Sequence, residues 1–175
     1  MNMSHHSVIA AACVAVGLLL QVLVAPHVGI ARAYPHVPVA LMLGLSLARP
    51  GAQGPLAPFV AGITLDLVTG APLGAMAFSL TLVCAAASRV FAALDNDSLL
   101  VPGVLAAVGC LACEGLFGAF MLAGGYQARV GSALAGAILP TALYTFALAV
   151  AAFLVLRALV PRGASAVPTN VSNVR

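Results

Sequence analysis

Apolar residues gather along the chain into six stretches, each closed by proline, glycine or a short acidic cluster. The first is Val8 to Val24, interrupted only by Gln21. The second runs from about Val37 to Ala48 and the third from Leu56 to Val68. The fourth is Leu73 to about Leu94, the fifth Leu99 to Ala123 and the sixth roughly Val130 to Val160. Between them stand Pro26, Pro35 and Pro38, then Arg49-Pro50-Gly51, Gly70-Ala71-Pro72, Asp95-Asn96-Asp97 and Gly124-Gly125, all residues that turn or stop a helix. Apolar runs approaching 20 residues predict helices that cross a bilayer. The predicted fold is therefore all-α: a polytopic membrane bundle of about six transmembrane helices, in one domain over residues 1–160. The polar stretch Pro161 to Arg175 lacks apolar periodicity and is expected to be a disordered cytoplasmic tail.

The second and third segments are short. Twelve residues of helix rise only about 18 Å against a hydrocarbon core of about 30 Å. A re-entrant pair would place Arg49 to Pro55 inside the membrane, at a cost of at least ~2.5 kcal/mol for the arginine alone. Both segments are instead expected to cross. The missing length would come from Ala33 to His36, from local thinning of the bilayer, or from packing behind longer helices. Pro140 is expected to kink the long sixth segment near its first third.

Composition sharpens this picture. Of 175 residues 63% are hydrophobic and 6% charged, with a mean hydropathy of +1.14, whereas a soluble domain needs roughly 25% charged residues on its wetted surface. Most of the outer surface must face lipid. With no Trp, any interfacial aromatic belt rests on Tyr34, Tyr126 and Tyr144. The net charge of +3 forms no basic patch for nucleic acid. No Lys or Arg precedes the first apolar run, and Gln21 to Pro26 lacks a cleavage pattern, so a retained first helix is expected. Six crossings place Arg49, Arg89, Arg157, Arg162 and Arg175 on one side, against Arg32 and Arg129 on the other. That asymmetry puts both termini in the cytoplasm.

Few residues can carry chemistry. Asp66 lies just before the break Gly70-Ala71-Pro72-Leu73-Gly74. A carboxylate there either binds a partner or substrate, or satisfies backbone N–H groups freed where the next helix starts. Glu114 sits midway along the fifth segment, and must face the bundle interior or carry a proton. No second acid stands beside it in the sequence, so an interhelical hydrogen bond is its expected role in place of a proton relay. Cys110 and Cys113 form a C-x-x-C inside an apolar helix, without the second ligand pair that zinc requires or the βαβ setting of a redox motif. Cys13 and Cys84 also fall in apolar runs, a poor framework for disulfides. His5, His6, His27 and His36 lie at the N-terminus and around the first loop, where exposed or interfacial positions are expected. No Ser/His/Asp set, P-loop or G-x-G-x-x-G occurs, so no catalytic residue, metal or cofactor is assigned.

The stretch Gly54 to Gly74, GPLAPFVAGITLDLVTGAPLG, resembles the signature region of MreD, the rod shape-determining membrane protein family. The matching positions are Gly62, Asp66, Leu67, Gly70, Pro72, Leu73 and Gly74. Leu19-Leu20-Gln21 followed by Pro26 is similar to the family's first helix and its exit, and Leu139-Pro140-Thr141-Ala142-Leu143-Tyr144 to the opening of its last. Two positions depart from the pattern: His36 follows Pro35 where the family usually has Asp, and Thr145 follows Tyr144 where Asn is common. The resemblance implies a non-enzymatic scaffold of the wall-elongation machinery in the bacterial plasma membrane. It would bind a bitopic MreC-like protein, and through it connect to MreB filaments and peptidoglycan synthases. Asp66, Gly70, Pro72 and Gly74 would be its partner-binding or structural motif.

The resemblance also implies a fold similar to the substrate-binding subunits of energy-coupling-factor transporters, which supplies a second hypothesis, a vitamin- or metal-binding subunit. Polar groups to recognise such a ligand are sparse, and the Ala11/Ala15 pair is uninformative in so alanine-rich a chain. A membrane enzyme using Asp66 and Glu114 as paired acids would need them adjacent. For a scaffold, Gly109, Gly115 and Gly118 on the fifth helix are candidates for close approach of a partner helix.

Overall fold

The computed structural model describes residues 3–24, 27, 34–50, 54–94, 100–125 and 139–159. Six helices occupy them: α1 (Met3–Leu23), α2 (Val37–Ala48), α3 (Leu56–Thr69), α4 (Ala75–Leu94), α5 (Leu100–Ala123) and α6 (Leu139–Leu159). Among the described residues there is no strand, and the chain is a helical membrane bundle. The expected opening of the sixth segment from Val130, the Asp95-Asn96-Asp97 break, and the tail from Pro161 lie outside the described residues. So do Arg32, Arg129, Arg162 and Arg175.

Helices α4, α5 and α6 contain 20, 24 and 21 residues with hydropathies of 1.8, 1.9 and 2.1. At 1.5 Å per residue each rises at least ~30 Å, long enough to cross a bilayer. Ser7–Leu23 of α1, α2 and α3 are apolar but shorter. The expected kink at Pro140 depends on the residues before Leu139, which lie outside the described residues.

The length of α2 follows from where it sits. It packs against α1, α3, α4, α5 and α6, and every residue from Pro38 to Ala48 except Leu41 is buried. A helix that is apolar on all sides belongs in an interior. Here the surroundings are protein, so α2 need not match the bilayer's thickness. Val39, Met42, Leu43 and Leu47 form the centre of the core, against Leu65 of α3, Met76 and Leu80 of α4, Cys110 and Cys113 of α5, and Phe153 of α6. The large side chains left exposed, such as Leu82, Val104, Val108 and Val155, form the surface that hydrocarbon covers.

Helices α3 and α4 cross closely at Gly62. A Cβ added at Gly62 would fall on the backbone of the facing helix, 2.6 Å from Ala77 N and 2.9 Å from the Met76 carbonyl carbon. Backbone cannot yield as a flexible side chain can, so only glycine permits this crossing. Gly115 on α5, by contrast, meets nothing within 4 Å. Gly62→Ala is expected to cost about 1–3 kcal/mol through overpacking, and Gly115→Ala less than about 0.5 kcal/mol. Unfolding midpoints of the two variants, followed by helical circular dichroism in detergent, check this. Equal midpoints would contradict the assigned crossing.

Candidate functional site

Asp66 closes both sides of the break between α3 and α4. It stands one helical turn after Gly62, on the same face, so the close crossing carries its carboxylate to the start of α4. Its backbone oxygen accepts from Gly70 N and from Ala71 N (3.1 Å), ending α3 with Gly70 in the left-handed region at φ 69°. Its carboxylate accepts from Gly74 N (2.9 Å), Met76 N (3.1 Å) and Ala77 N (3.4 Å), the donors left over where α4 begins. Anionic oxygens at a helix N-terminus are further favoured by the helix dipole. Pro72 contributes a carbonyl that accepts from Ala75 N (3.1 Å), and Gly74 holds φ 95°, a conformation closed to most side chains. Asp66 is 1% exposed, so nothing outside the bundle reaches its oxygens directly.

A second polar centre lies at the start of α2. Because α2 is short and encased, the backbone donors at its part-buried N-terminus find partners on neighbouring helices. Gln21 of α1 accepts from Val37 N (2.8 Å), and the Thr145 hydroxyl of α6 accepts from His36 N (3.2 Å). Pro38 has no N–H to satisfy, and Ala40 N returns to the His36 carbonyl (3.1 Å). The His36 ring meets Glu114 of α5, with Nδ1 2.6 Å from Oε1. Its edge packs at 80° on Phe117, with centroids 6.4 Å apart. Four helices are thus tied together by Gln21, His36, Glu114 and Thr145.

The structure brings Glu114 to His36, not to Asp66, which is engaged with α4. Cys110 and Cys113 are buried and unbridged, with Cys113 Sγ 3.7 Å from Met76 Sδ. Among the described residues, no group of three or more His, Cys, Asp or Glu is placed to hold a metal ion. Of the three glycines considered for a partner helix, Gly109 faces Leu43 and Gly118 is buried. Gly115 alone of them faces open space.

Sequence reasoning passed over Gln21 and Thr145 as network members and placed His36 among interfacial histidines. A usable signal was present. Gln21 ends its apolar run, His36 opens the next, and Thr145 lies early in the last, so all belong to the same end of an alternating bundle. Glu114 falls in the half of α5 nearest that end.

Asp66→Ala leaves two buried donors and the part-buried Gly74 N without an acceptor, and is expected to lower stability by on the order of 3 kcal/mol. Asp66→Asn keeps one acceptor oxygen and should recover about half of that loss. Gly74→Ala forces a Cβ into the left-handed region at about 1–2 kcal/mol. Denaturant unfolding in mixed micelles ranks the three. Equal stability of the Asp66→Ala variant and the parent would remove the cap from the account.

No significant match is found among curated proteins or among solved structures. The family model for the rod shape-determining protein MreD matches residues 1–162, which include all six helices and both polar centres. That family is one of structural membrane proteins that determine cell shape, and this chain belongs to it.

Proposed function

We propose that the chain acts as a non-enzymatic scaffold of the wall-elongation complex, docking the single membrane span of an MreC-like protein. Through that partner it would couple MreB filaments to peptidoglycan synthases. The observation carrying the proposal is the family match over residues 1–162. The side chains support it. Asp66, Glu114, Gln21 and Thr145 spend their polar atoms on the bundle's own backbone and side chains, which suits a rigid platform better than a turnover site. The membrane would be the bacterial plasma membrane, with both termini in the cytoplasm, as the arginine asymmetry favours.

In this scheme Asp66, Gly70, Pro72 and Gly74 act on the partner indirectly, by holding the α3–α4 break in one shape. Gly115, open between exposed Leu111 and Ala119, offers a close approach for the partner's helix. Glu114 keeps the bundle together and touches no partner.

Affinity purification of the tagged protein from its own host in mild detergent, followed by mass spectrometry, tests the proposal. Recovery of an MreC-like protein with peptidoglycan synthases is expected. The Asp66→Ala variant should recover several-fold less of it and produce wider, rounder cells. Recovery of an energy-coupling transmembrane subunit with ATPases would overturn the scaffold role.

A further inference from the structure

His36 and Glu114 meet at 2.6 Å inside the bundle, with side chains 15% and 4% exposed. Among the described residues, Glu114 is the charged group that acts on His36. The other described elements packed around them present neutral groups. Gln21 faces the site from α1 and Thr145 from α6, both through hydrogen bonds to the α2 backbone. On α5 the thiols of Cys110 and Cys113 lie within the field of Glu114, and Cys84 of α4 lies beyond them. Among the described residues no arginine or aspartate side chain takes part.

This isolation sets the proton count. Relative to a neutral imidazole and a carboxylate, the pair is uncharged only when it holds one added proton. That proton sits either on the ring, as imidazolium against carboxylate, or on the acid, as imidazole against carboxylic acid, and both forms keep the Nδ1···Oε1 hydrogen bond. Losing the proton leaves a net anion within the helices. Gaining a second leaves a net cation there. Either charge is disfavoured in a bundle surrounded by hydrocarbon.

We propose that the His36–Glu114 pair is a proton-operated latch on the embedded start of α2. It is closed while the two groups share one proton, and it opens when that proton leaves. Opening frees the first turn of α2 from α5, while the bonds to Gln21 and Thr145 hold it to α1 and α6.

The test is the pH profile of thermal unfolding of the full chain in detergent, read by circular dichroism. Free carboxyl and imidazole groups together hold one such proton between about pH 4.3 and 6.5, so the wild-type midpoint is expected to be level there. Above about 6.5 the unfolded chain gives up its proton first, and stability falls as pH rises. In E114Q the buried imidazole stays neutral while the unfolded chain protonates below about pH 6.5, so the midpoint should rise from pH 5 to 8, opposite in sign to wild type. A wild-type midpoint level through pH 8, or an E114Q slope of the wild-type sign, overturns the latch. Should E114Q not fold, hydrogen exchange of wild-type residues Val39 to Leu41 decides the matter, since His36 N and Val37 N stay bonded to Thr145 and Gln21. Corrected for intrinsic rates, their opening should increase about tenfold per pH unit above 6.5, and an unchanged rate would sink the proposal.

Discussion

A helix that starts against its neighbours in a packed bundle must find partners for its terminal backbone groups, because packing displaces the water that would otherwise supply them. Two helix starts in this bundle face that constraint, and both are met by side chains carried on other helices. The N–H groups opening α4 are taken by Asp66 of α3. Those opening α2 are taken by Gln21 of α1 and Thr145 of α6. The few polar residues of an otherwise apolar chain are therefore placed where the backbone needs them, and their positions dictate which helices must lie together.

Packing and hydrogen bonding depend on each other at these points. Gly62 and Asp66 share one face of α3: the first lets the backbone of α4 come close, and the second bonds the donors that closeness brings within reach. A side chain at Gly62 would push the donors of Met76 and Ala77 away from the carboxylate, so a packing error there also becomes a hydrogen-bonding error. At α2 the relation runs the other way. Burial by five neighbouring helices removes any need for this helix to span the bilayer, and the same burial obliges its first turn to be capped from within.

How much of this was legible in the sequence depended on the range of each interaction. Helix limits are local matters of proline, glycine and run length. The stretch Val37 to Ala48 emerges with the limits its flanking prolines and arginine imply, and α3 ends one residue beyond Val68. The carboxylate at Asp66 could be connected with a helix start because its break follows within eight residues. The pairing of His36 with Glu114 spans 78 residues, and that of His36 with Thr145 spans 109. No local pattern links such positions. Nor does composition distinguish an apolar helix surrounded by lipid from one surrounded by protein, so the central place of α2 had to come from the packing of the other five.

That central place bears on how the chain is made. A twelve-residue helix is a weak candidate for stable insertion by itself, since about 18 Å of apolar surface leaves its polar ends within the hydrocarbon. One of its partners, Gln21, precedes it in the chain, but Glu114 and Thr145 are translated well after it. During synthesis the start of α2 must be held by something transient, such as the insertion machinery or a thinned patch of lipid, until the last helix emerges. The final helix thus completes the membrane insertion of the second, and a chain truncated before it would leave α2 without a settled position.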